Sequence, residues 1–151
     1  MRVIGFNFTK ISGEKSNEFN PEFSINTNLN ISDIKEEKAE VLKDFEVIKV
    51  SFKFEVTYNS KEKKEVKFGE VALAGEFVFS SDKDAKDLLQ SWNKKSDKTI
   101  PEDFKVPLFN LIMRRCTTKA LELEESLNLP FHIPFPQVRE PTKQEAKKEK
   151  K

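Results

Sequence analysis

The chain of 151 residues predicts an α+β fold: a four-stranded antiparallel sheet packed with one long C-terminal helix and a short helix. Three observations predict it. The first 80 residues alternate apolar and polar side chains in four runs, the period of strands with one buried face. Beyond residue 81 the apolar spacing changes to that of a helix. Fourteen phenylalanines stand against one tyrosine and one tryptophan, and most lie in the strand-like runs, so the aromatic surface is directed to burial or apolar contact.

The first strand reads from Val3 to Ile11, with Ile4, Phe6 and Phe8 on one face and Gly5, Asn7 and Thr9 on the other. Residues Gly13 to Pro21 read as a loop. The second strand, Phe23 to Ile31, is the cleanest: Phe23, Ile25, Thr27, Leu29 and Ile31 alternate with Ser24, Asn26, Asn28 and Asn30. A charged connection spans Asp33 to Asp44. The third strand, Phe45 to Tyr58, turns Ile48, Val50, Phe52, Phe54 and Val56 one way and Lys49, Ser51, Lys53, Glu55 and Thr57 the other, as in an antiparallel sheet wet on one side. After a turn at Asn59 to Lys64 comes the fourth strand, Glu65 to Phe79, whose phase shifts near Gly69 and Gly75 predict bulges. Val71 to Ala74 is apolar on both faces. One layer of helix would therefore leave apolar surface for a second subunit or a groove.

Helical signals follow. Ala85, Leu88, Leu89 and Trp92 fall at helical spacing behind a Ser81-x-x-Asp84 capping box. A second box, Thr99 with Glu102, and Pro101 at the first helical position announce the next helix, which Pro107 restarts or kinks. From Leu108 to Leu127 the stripe Leu108, Leu111, Ile112, Cys116, Ala120, Leu123 and Leu127 predicts one broad apolar face. The helix ends before Pro130. The run LNLPFHIPFPQV carries three prolines among apolar residues, so it is neither helix interior nor central strand and lies extended over the core.

The length fits one domain, residues 1–138, followed by a charged disordered tail at 139–151. That tail holds six Lys or Arg against three Glu, leaving 21 basic and 23 acidic residues before it. A net charge of +1 gives no general electrostatic case for nucleic acid. No run approaches the roughly 20 apolar residues that span a bilayer, and the N-terminus lacks the continuous apolar stretch of a leader, so neither membrane insertion nor secretion is expected. Cys116 cannot form an internal disulfide, which fits the cytosol.

Chemistry is scarce. One His, one Cys and four Gly leave no phosphate loop, no metal-ligand cluster and no nucleophile beside a base. His132, between Phe131 and Ile133, reads as a partly packed residue without partners. Glu124 and Glu125 read as solvent-facing, and Arg114 and Arg115 as a solvated helix face. An enzyme, a cofactor and a metal are not expected; a binding protein is.

In their order, "FNFTKISGE", "EFSINTNLNI", "DFEVIKVSFKFEV", "KFGEVALAGEFVFS" and "SLNLPFHIPFP" resemble the SecB-like export chaperones over roughly residues 3 to 136. Those are cytosolic holdases that form a dimer of dimers and wrap unfolded preproteins in apolar grooves without ATP. The resemblance implies a client-binding groove at Phe23, Ile25, Leu29, Ile31, Phe131 and Phe135. It implies an oligomer interface at Ile4, Phe6, Phe8, Leu108, Leu111 and Ile112. Glu14 and Glu70 correspond to the acids that dock the family's translocation motor, although an acid expected after Lys10 is missing. The family's groove-covering second helix is absent or reduced to the Pro-rich segment. The partners implied are unfolded polypeptides, the chain itself, and a motor or the antitoxin of a toxin pair. The alternative from another class is a carrier of a small hydrophobic ligand or lipid in a closed pocket.

Overall fold

The third run, whose inward positions are all apolar, becomes the centre of the molecule. The computed structural model describes residues 2–38, 46–94 and 100–141. Its elements are β1 (Val3–Lys15), β2 (Phe23–Lys38), β3 (Glu46–Ser60), β4 (Lys67–Ser80), α1 (Lys83–Lys94) and α2 (Glu102–Ser126). The four strands form one antiparallel sheet in the order β1-β4-β3-β2. Ile48, Val50, Phe52, Phe54, Val56 and Tyr58 of β3 are each at most 1% exposed, and Val71, Leu73, Phe77 and Phe79 of β4 lie beside them. Each such side chain contributes roughly 1.5–3 kcal/mol by leaving water.

Both helices cover this one face, α1 through Ala85, Leu88 and Trp92, and α2 through Leu108, Ile112, Cys116 and Ala120. The opposite face carries Lys49, Ser51, Lys53 and Glu55, the wet side expected of β3, and Ala72 and Ala74 are what the doubly apolar stretch Val71 to Ala74 turns to it. Lys49 Nζ instead reaches Glu37 at 2.8 Å and Glu76 at 3.3 Å, tying three strands together. These contacts hold the Glu37 carboxyl below its ordinary range and the Lys49 ammonium above its own.

Two of the strand readings, β1 and β2, need extension, and both strands carry bulges. In β1 the register skips at Ile4 and Thr9, so Phe6 and Phe8 face the helices while Ile11 and Gly13 rejoin that face two turns of the pleat later, and the strand runs on to Lys15. In β2 it skips at Ser32. That shift turns Ile34 inward, where it is 2% exposed, and carries the strand to Lys38 through residues read as a connection. Residues 39–44 of that connection lie outside the described residues. The bulge expected near Gly69 is present, with Phe68 as the extra residue. The one expected near Gly75 lies across from it, in β1: a Cβ on Gly75 would stand 2.5 Å from the Asn7 carbonyl oxygen and 2.9 Å from Phe52 Cζ, so only glycine admits this approach.

Helix α1 starts one residue later than the Ser81 box predicts. Asp82 is the cap: the Ala85 N–H donates to Asp82 Oδ1 at 2.9 Å, and this bond chiefly holds the Asp82 carboxyl below its ordinary range. Pro101 is the N-cap of α2 rather than its first helical residue, and no side chain caps it; Thr99 lies outside the described residues. Pro107 sits six residues in and the helix continues through it, lacking only the N–H that would meet the Asp103 carbonyl. Among the described residues no helix follows α2, and 142–151 of the expected tail lie outside them.

Candidate client-binding groove

The exit from α2 sets the candidate groove wall. Leu127 caps the helix, Asn128 adopts φ 55°, and the Asn128 and Leu129 N–H groups donate back to the Glu125 and Glu124 carbonyls at 3.1 and 2.8 Å. This is a Schellman motif, with Asn in the left-handed position and Pro130 preventing further helix. Two glycines seat it. A Cβ on Gly13 would lie 2.6 Å from Leu127 Cδ1, and one on Gly69 2.9 Å from Leu129 Cδ2, so the bare backbone of β1 and β4 is the socket for both leucines. Lys15 Nζ donates to the Asn128 carbonyl at 3.1 Å.

Beyond the socket the chain is tied to a buried carboxylate. Glu124 is 0% exposed, a correction to its solvent-facing reading, and continues the i+4 row Leu108, Ile112, Cys116, Ala120. Its Oε1 accepts from the Tyr58 hydroxyl at 2.9 Å and from the His132 N–H at 3.1 Å. His132 Nδ1 lies 2.7 and 3.0 Å from the two carboxylate oxygens, so His132 is not partnerless as its sequence context suggests. The Tyr58 hydroxyl also meets the Pro130 carbonyl. Burial, then the Glu124 contact, pushes the Tyr58 hydroxyl well above its ordinary range. The i+4 row was the signal that would have found Glu124 in the sequence.

Phe131 therefore stands between two fastened neighbours, is 37% exposed, and stacks on Phe135 with ring centroids 4.7 Å apart. The His132 ring packs on Phe54 at 5.9 Å, and Phe54 pairs across the sheet with Leu29. Phe23, Ile25, Leu29 and Ile31 lie on that same face of β2, packed on the core yet partly exposed. They form an apolar track along a free edge, spanning roughly 26 Å from Phe23 to Ile31. Phe19 closes one end, against Phe23 and Phe68. At the other, Ile31 opens into a cleft of about 320 Å³ with Trp92, Ile100 and Phe109.

The remaining expected residues fall in two places. Leu108 and Ile112 are 1% and 0% exposed inside the chain's own core, so they have no surface for a second subunit; the expected interface is corrected to that extent. Phe6, Phe8 and Leu111 do retain surface. With Arg114, Arg115, Thr118, Lys119 and Glu122 they line an open cleft of about 620 Å³ between β1 and α2, where the Arg115 guanidinium lies 5.3 Å from the Phe6 ring. Ile4 is 48% exposed at its bulge. Glu14 and Glu70 are directly paired across β1 and β4, with Lys67 Nζ 3.0 Å from Glu70.

No protein-family model matches the chain, and no curated protein is similar to it in sequence. Among solved structures it is similar to the Mycobacterium tuberculosis Rv1957 SecB-like chaperone in complex with a ChAD peptide from the Rv1956 HigA1 antitoxin. The superposition has a TM-score of 0.55 at 7% identity and covers 93% of this chain and 92% of that one. The fold is SecB-like. In this SecB-like frame the two halves of the candidate groove are the edge strand β2 and the segment that leaves α2. Among the described residues no group of three or more His, Cys, Asp or Glu gathers as metal ligands, and no helix is long and apolar enough to cross a membrane.

Proposed function

We propose that this chain is an ATP-independent holdase that binds non-native polypeptides along β2 and the Phe131–Phe135 wall. One observation carries the reading. Over Phe23 to Ile31 the free edge of β2 has no charge, no proline and no bulge, and beside it lies a partly exposed apolar track. Edges of this kind are normally blunted by such devices, as the other half of β2 is by the Ser32 bulge and by Asp33, Lys35, Glu36 and Glu37. An unblunted edge offers main-chain partners to any extended chain, and the track adds apolar contact without demanding a particular sequence.

The likeness to a chaperone holding an antitoxin peptide supports a polypeptide as the partner class. Self-association through Phe6, Phe8 and Leu111, docking of a motor at Glu14 and Glu70, and roles in protein export or antitoxin protection are parts of the same proposal. A closed-pocket carrier fits less well, because the clefts at Phe6 and at Ile31 open to solvent. The test is suppression of aggregation of a refolding client without nucleotide, by the wild type and by Leu29→Asp and Ile31→Asp. Holding by the wild type and its loss in both variants, with unchanged circular dichroism, is expected. Equal holding by all three removes β2 from the groove.

A further inference from the structure

A buried carboxyl ends an apolar row, and its partners join the central strand β3 to the groove wall. Among the described residues no Lys or Arg is paired with Glu124; its partners are Tyr58, the His132 N–H and His132 Nδ1. Burying such a group is costly, and apolar side chains of similar volume in place of the whole network are commonly neutral or stabilising, whereas removing one member strands the others. Packing alone therefore does not account for an acid here. What the acid supplies is direction. Its Oε1 takes the His132 N–H and its hydroxyl partner Tyr58 meets the Pro130 carbonyl, beside the Leu129 N–H bond that the main-chain carbonyl of residue 124 accepts whatever its side chain. Residues 129, 130 and 132 are thus fastened to one point, which leaves the Phe131 side chain turned out against Phe135.

We propose that Glu124 is a positioning residue for the groove: through Tyr58 and His132 it clamps the segment Leu129–Ile133 to β3 and so holds Phe131 and Phe135 where a client meets them. This rests on the holdase reading, and it adds to that reading the group that sets the wall. A hydrophobic contact at the same place would hold the segment without fixing its rotation, because apolar packing is non-directional. Three hydrogen bonds on one carboxylate fix both the position and the rotation. The Nδ1 contact is satisfied with the imidazole hydrogen on that nitrogen, which is within reach of both oxygens, while Nε2 is buried without a partner among the described residues.

The experiment compares the wild-type chain with Glu124→Gln, Glu124→Met and Tyr58→Phe in three readouts. These are thermal unfolding, amide hydrogen exchange over residues 129–133, and binding of a permanently unfolded, fluorescently labelled polypeptide. Glu124→Met strands the Tyr58 hydroxyl and the His132 N–H, so it should unfold at a lower temperature than the wild type while staying folded at the assay temperature, exchange the His132 amide at least about tenfold faster, and bind the polypeptide at least about tenfold more weakly, a loss of about 1.4 kcal/mol. Glu124→Gln, which keeps an acceptor for Tyr58 and the His132 N–H, should restore most of the affinity. In the wild type, imidazole ¹⁵N shifts of the single histidine should report Nδ1 as the protonated nitrogen. Wild-type affinity in Glu124→Met despite faster exchange overturns the positioning role, and unchanged exchange overturns the clamp itself. If Glu124→Met fails to fold, Tyr58→Phe decides by the same readouts, since it deletes one oxygen from the network. If the wild type binds no unfolded polypeptide, the holdase reading fails, and the clamp then stands or falls on exchange and on the imidazole shifts.

Discussion

Tyr58 and Cys116 carry the clearest consequences of single-residue burial. Burial raises the hydroxyl of Tyr58 from its ordinary value of 10.0 and pushes the thiol of Cys116 up to about 12 from 9.0. In both, the folded chain keeps a proton that the unfolded chain gives up more readily. Their contribution to stability is therefore complete below about pH 9 and is lost at higher pH, through about 12 for Cys116 and over a window that starts near 10 for Tyr58. Denaturant midpoints should fall over that window, and less steeply in Tyr58→Phe; a flat profile would remove the linkage. Cys116 should resist a thiol reagent in the native state and react only at the rate of unfolding. At this scale the sequence was legible where local rules act alone. Leu127-Asn128-Leu129-Pro130 spells a helix exit, and the structure supplies the left-handed Asn. The burial of Glu124 was legible only as the next step of the i+4 row from Leu108, and its role was not, because its partners lie 8 and 66 residues away in the chain.

Elements were legible wherever the period stayed in phase, and lost at bulges. The core face of β3 follows from alternation alone, whereas Ile34 and the last part of β2 are hidden by the single extra residue at Ser32. Edges are where bulges concentrate, and both β1 and β2 are edges here. The two differ in a testable way. β1 is broken at Ile4 and Thr9, while β2 runs unbroken from Phe23 to Ile31. Adding an unfolded polypeptide should slow amide exchange in residues 23–31 and leave residues 3–9 of β1 unchanged within the groove's influence; protection spread equally over both edges would count against β2 as the binding edge. The helix exit depends equally on an element-level fit. Gly13→Val drives a branched side chain into the place of Leu127 Cδ1 and should destabilise the fold by about 1–3 kcal/mol in chemical denaturation, as overpacking does. Asp82→Ala removes the α1 cap and should cost about 1 kcal/mol.

For the whole molecule the open question is what covers the outer side of α2. Both helices share one face of the sheet, and Leu108, Ile112, Cys116 and Ala120 seal the inner side completely. Leu111 does not belong to that seal. It is half-buried and lines two open clefts, one with Phe6 and Phe8 and one with Val3, Phe79 and Phe104. Apolar surface gathered between β1 and α2 in this way is the surface that a second copy would cover. Substituting aspartate at neighbouring positions of the same helix separates the two roles. Leu108→Asp places an unpaired charge inside the core and should prevent folding, lowering the far-ultraviolet signal of the purified chain. Leu111→Asp keeps its charge in contact with water, so the fold should survive while the mass measured by light scattering falls from that of the assembly to 17.5 kDa. If Leu111→Asp keeps the wild-type assembly mass, copies do not meet at the β1–α2 surface. If the wild type itself scatters as 17.5 kDa, the two clefts are solvent-facing, and the proposed client capture would rest on one chain's β2 edge and Phe131–Phe135 wall alone.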